Sequence, residues 1–80
     1  MNEQPMNSIA LGDGVIFNYE GFTYTISRIE YDDSRVVSVI TPPHAIAAKV
    51  VEKHIRENNG VFNPDEFLKE LSRAVELDGK

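Results

Sequence analysis

Eighty residues with 41% apolar and 26% charged side chains have the composition of a single small globular domain. The lack of cysteine excludes disulfides and thiolate-built zinc sites, and a formal charge of −5 weighs against whole-surface attraction to nucleic acid or anionic lipid. No run approaches the roughly 20 apolar residues of a membrane span, and the start MNEQPMNSIALGDG lacks the basic and apolar parts of a signal peptide, so a cytoplasmic location is expected.

Residues 1–8 are polar, contain Pro5 and show no apolar period, which reads as a flexible lead to a single domain over 9–80. In the segment that follows, LGDG reads as the turn that launches a sheet. From Val15 the pattern has period two. Val15, Phe17 and Tyr19 share one face of a strand, as do Phe22, Tyr24 and Ile26 of the next. Glu20-Gly21 between them supplies a hairpin turn, because glycine takes positive φ freely. After Ile26 the apolar parity switches at Ile29, which predicts a bulge or strong twist. Asp32-Asp33-Ser34 is a polar turn, and RVVSVI, 35–40, is a third strand. Its apolar residues fall on both faces, so a central or well-covered position is expected. A short strand at Ile9–Leu11 would make a fourth.

The second half reads as helical. Thr41 before Pro42-Pro43 has the pattern of a helix cap and first turn, the helix runs to about Asn58, and Gly60 closes it. FNPDEF starts the second helix. Asn63 is the expected cap, Pro64 the first helical residue, Glu66 the side chain reaching back to the cap amide, and Phe62 with Phe67 a hydrophobic staple. Phe67, Leu68, Leu71, Ala74 and Val75 fall within about 120° on a helical projection, an ordinary amphipathic stripe running to about Leu77. The predicted fold is α+β: a three-stranded antiparallel meander over 9–41, then a helical hairpin over 42–78 covering one sheet face, in the order βββαα.

The segment GDGVIFNYEGFTYTISRI resembles the opening of small SH3-like barrels, with a Gly-Asp turn, an alternating strand, a hairpin glycine and a second aromatic-rich strand. The resemblance covers about a quarter of the chain. It implies a barrel, which usually has five strands, whereas this chain supplies three before turning helical.

His54 is the residue that most invites a functional reading. With Ile46 at 0° on an ideal helix, Val50 lies at about 40°, His54 at about 80°, Ala47 at about 100°, Val51 at about 140° and Ile55 at about 180°. A histidine in the middle of an apolar stripe is first a core residue with satisfied ring nitrogens, and second an interface residue beside Val50 and Val51. Catalysis or metal binding ranks third. His44, ten residues away, is separated by roughly 15 Å of helix rise and cannot share a metal with it; exposure is expected for His44. Glu57 alone would not complete a metal site. On the polar side Lys49, Lys53 and Arg56 project at about 300°, 340° and 280°, a ridge suited to an acidic ligand, although Glu52 and Glu57 flank it. EYDDS lacks calcium-loop spacing, LGDG is no phosphate loop, and no serine sits in a nucleophile pattern.

These observations lead to an expectation of no enzyme activity, no cofactor and no metal. One core of this size yields only about 3 to 5 kcal/mol, so a protein partner or homo-oligomer is expected to add support. The first 42 residues hold six acidic against two basic side chains, the remainder seven against six. A small cytoplasmic interaction or regulatory module follows, with the size and charge of accessory or inhibitor proteins of phage and other mobile elements. The alternative is a nucleic-acid-binding regulator using the Lys49, Lys53, Arg56 ridge with Arg28 and Arg35, which the net charge disfavours.

Overall fold

The computed structural model describes residues 7–78 and places three strands, β1 (Asn7–Tyr19), β2 (Phe22–Tyr31) and β3 (Val36–Thr41), before two helices, α1 (Ala45–Glu57) and α2 (Pro64–Asp78). The sheet is antiparallel in the order β1-β2-β3, and the helices pack on one of its faces. The α+β meander-and-hairpin architecture is therefore the one predicted. It is an open three-stranded sheet and not the barrel that the opening segment implies.

The β1–β2 hairpin turns at Glu20 and Gly21, whose φ values of 51° and 84° are the paired positive angles of a tight turn matched to strand twist. Val15, Phe17 and Tyr19 oppose Ile26, Tyr24 and Phe22. The start of the sheet differs from the prediction. Asn7 to Ala10 already pair with Tyr31 to Arg28, and LGDG is not a leading turn but the interior of a bulge between Ala10 and Val15. Gly12 and Gly14, at φ 60° and 96°, take up the extra residues, so Ile9 and Val15 both face the core within one continuous strand. The predicted fourth strand is thus the first half of β1. Of the lead over 1–8, residues 7 and 8 belong to β1, and 1–6 lie outside the described residues.

The parity switch in β2 is a bulge between Ile26 and Arg28, and both Ile26 and Ile29 are fully buried. β3 corrects another expectation, because it is an edge strand and β2 is central. Val36, Ser38 and Ile40 of β3 lie on the face toward the helices. Val37 and Val39 remain 42% and 45% exposed on the opposite side of the sheet.

The β3–α1 connection contains a cis Thr41–Pro42 bond, and the cap of α1 is His44 rather than Thr41. Its Nδ1 accepts the Ala47 amide at 3.1 Å. Nor is His44 exposed as expected: its half-buried ring lies edge-on to Tyr19, Tyr24 and Phe17, with centroids 4.7, 4.8 and 5.7 Å away. The aromatic alternation of the hairpin therefore builds the seat for the first turn of α1. Gly60, at φ 86°, closes the helix with its amide on the Ile55 carbonyl. Phe17, Ile26, Ile29 and Ile40 from the sheet meet Ala47, Val51 and Ile55 from α1 and Phe67 and Leu71 from α2 in a single core.

Candidate functional site

His54 has no accessible surface. Its Nε2 accepts the backbone N–H of Asn63 at 3.1 Å, which places the ring hydrogen on Nδ1, 2.9 Å from Glu70 Oε1. Phe62 packs edge-on against the ring at 5.4 Å. One imidazole thus joins α1, the interhelical loop and α2. With Nε2 occupied as an acceptor, the surroundings select the tautomer whose hydrogen is on Nδ1.

The interhelical loop shows why this arrangement arises. Asn63 caps α2 as predicted, its Oδ1 accepting the amides of Asp65 and Glu66 at 3.1 and 3.3 Å. The reciprocal half of the capping box differs. Glu66 does not reach the Asn63 amide, because His54 already accepts it; Glu66 lies instead 4.0 Å from Lys69. The Phe62–Phe67 staple forms, with ring centroids 5.4 Å apart.

Of the three expected interface residues, His54 and Val51 are fully covered by their own chain. Val50 alone reaches a surface, where it lines a cleft between the helices. Two adjoining hollows share Val50, Lys53 and Ala74 and form one trough along the α1–α2 seam. From Ala45 to Glu57 its α1 wall runs about 18 Å at 1.5 Å per residue. Ala45, Ile46, Val50, Ala74 and Leu77 are its apolar members. Lys49 and Lys53 stand on one wall and Arg73 on the other, and none has an ion pair or hydrogen bond among the described residues. Glu57, Glu66, Lys69 and Glu70 line the end near the interhelical loop. Glu70 belongs to both settings, since it also holds Nδ1 of His54.

The expected ridge is therefore divided. Lys49 and Lys53 face the trough, but Arg56 turns away, its Nη2 donating to the Ser34 carbonyl at 3.1 Å and lying 3.5 Å from Glu52. There it ties α1 to the β2–β3 turn. Arg73 takes its place beside the lysines, a partner visible only once α2 is folded back along α1. Of the two sheet cations expected to assist, Arg28 pairs with Glu30 at 2.9 Å and donates to Ser8, and Arg35 is exposed in the β2–β3 turn, just before β3.

The acidic turn is organised by its own backbone. Asp32 Oδ1 accepts the amides of Ser34 and Arg35 at 2.8 and 2.9 Å, and these two bonds hold its carboxyl below the usual aspartate range. No group of three or more metal-ligating side chains occurs among the described residues. Likewise, no described helix is long and apolar enough to cross a membrane.

The chain matches no family model, no curated protein and no solved structure. Its function must be read from the geometry.

Proposed function

We propose that this chain is a small non-enzymatic module that regulates or assists another protein by binding it through the α1–α2 trough. The observation that carries this reading is the combination of an apolar floor with three cations on its walls, Lys49, Lys53 and Arg73, that have no partner among the described residues. Apolar surface beside unpaired charge is what a protein partner can use. His54 supports the same reading, because a base or metal ligand needs an approach to the ring and this ring has none.

Affinity capture tests the proposal, with the full chain compared against a Lys53→Glu/Arg73→Glu variant of unchanged circular dichroism. A specific protein retained by the wild type and lost by the variant supports it. Retention of nucleic acid in place of protein would overturn it and favour a nucleic-acid regulator. That alternative is expected to use Lys49, Lys53 and Arg56 with Arg28 and Arg35, but Arg56 and Arg28 are engaged with other groups.

A second copy of the chain is a further partner that one observation favours. The sheet face away from the helices is uncovered among the described residues and carries Ile16, Val37 and Val39, beside the edge strand β3. Light scattering at increasing concentration distinguishes a dimer from a monomer, and a strict monomer removes this reading.

A further inference from the structure

We infer that the trough receives an acidic amphipathic helix of the partner, laid along the α1–α2 seam as a third helix. This rests on the protein-binding reading and specifies its ligand. Length is the first argument. The α1 wall spans about 18 Å, close to three helical turns, and the exposed side chains along it, Leu77 among them at 72%, leave it open to a polypeptide segment.

The distribution of apolar groups is the second. Ile46 and Val50 are one turn apart on α1, and Ala74 and Leu77 one turn apart on α2. They provide a strip that the stripe of one further helix can fill, with anchors at every third or fourth position. A phosphate backbone would leave this strip unused.

Charge decides the flanks. Lys49 and Lys53 on one wall and Arg73 on the other have no partner among the described residues, although the chain as a whole carries −5. An incoming helix with carboxylates on both sides of its stripe meets a cation on either flank. At the opposite end Glu57, Glu66 and Glu70 repel carboxylates, with only Lys69 among them. The acidic part of the ligand therefore lies over the Lys49–Lys53–Arg73 half, which sets its register along the seam.

The test uses the full chain, ¹⁵N-labelled, titrated with a synthetic helical peptide of about 14 residues bearing leucine at every third or fourth position and glutamates on both flanks. A lysine-flanked version of the peptide and a short DNA duplex are the comparison probes. The expected result is shifts at Val50, Lys53, Ala74 and Leu77 with the glutamate peptide. Charge reversal in Lys53→Glu/Arg73→Glu should weaken binding at least about tenfold, while Arg56→Glu, outside the trough, stays within about twofold. Equal binding of both peptides, an unchanged affinity in the double variant, preference for DNA, or no shift at about 1 mM peptide would overturn the inference. Failure here differs from failure of the broader reading. A captured partner that protects the trough by a non-helical segment removes the helix alone, whereas absence of any protein partner removes both.

Discussion

Replacing His54 by leucine tests whether the imidazole is a structural junction. The substitution keeps a side chain of similar bulk in a fully buried position, so cavity formation is a minor part of its effect. Two hydrogen bonds are lost. The Nδ1–H bond to the Glu70 carboxylate is charge-assisted and contributes about 1.5 to 3 kcal/mol. Loss of the Nε2 acceptor leaves the Asn63 amide to find water, at about 1 kcal/mol where water can reach it. Added apolar burial returns about 1 kcal/mol, so the net loss is about 1.5 to 3 kcal/mol. Against the roughly 3 to 5 kcal/mol of a core this small, that is about half of the stability. With a urea slope near 1 kcal/mol/M, the midpoint followed by circular dichroism should fall by about 1.5 to 3 M. Glu70→Gln preserves an acceptor and should cost about 1 kcal/mol. In the wild type, long-range ¹⁵N–¹H spectra should show a protonated Nδ1 and a bare Nε2. A leucine variant within about 0.5 kcal/mol of wild type, or the opposite tautomer, would refute the junction.

Other outcomes follow from single contacts. Asn63→Ala removes the side-chain cap of α2 but not the amide bonded to His54, and should cost about 1 kcal/mol by urea unfolding. Gly60→Ala should be costlier than an ordinary surface change, because φ is 86° and a methyl group there would run into the Tyr31 hydroxyl and ring; the melting temperature checks this. Asp32 has a carboxyl held below 3.8 by the amides of Ser34 and Arg35, so its contribution is present above that value and is lost as pH falls through the lowered one. NMR titration should place its midpoint below the usual aspartate range, and Asp32→Asn should remove that part of the acid dependence. Val37→Lys/Val39→Lys, on the uncovered sheet face, should leave stability within about 0.5 kcal/mol per site by urea unfolding and abolish any dimer seen by light scattering.

Local chemistry made much of the fold legible. The Glu20-Gly21 turn, the Asn63 cap and the Phe62–Phe67 staple depend on residues within a few positions of one another, and each forms where the sequence places it. The parity change between Ile26 and Ile29 also records a bulge directly. LGDG misleads because two glycines interrupt the alternation that defines a strand. At φ 60° and 96° they carry β1 through its bulge instead of ending it. His44 is obscured for a different reason: Thr41 is a better cap by residue type, yet the aromatic seat of Tyr19, Tyr24 and Phe17 holds the imidazole at the cap position.

The site was half legible, and helix geometry explains the missing half. Lys49, Lys53 and Arg56 are neighbours on a projection, but a projection does not locate the elements packed on either side. With α2 against the side occupied by Ile46 and Val50, the two lysines line the seam. Arg56, turned about 20° beyond Lys49 on an ideal helix, meets the β2–β3 turn. Arg73 could not be assigned to the set without knowing how α2 folds back.

His54 nevertheless bears on the site it does not enter. The orientation of α2 along α1 decides whether Arg73 faces Lys49 and Lys53, and the polar link between the helices at this depth runs through the imidazole to Glu70. Asn63 fixes the other end of the same link, because its amide binds Nε2 while its side chain starts α2. A leucine would fill the space but could not set this rotation, since apolar contacts tolerate sliding and a two-ended hydrogen bond does not. The buried histidine is thus a positioning residue for the trough, and Glu70, with a side chain 36% exposed, lies between the ring and the surface where a ligand would sit.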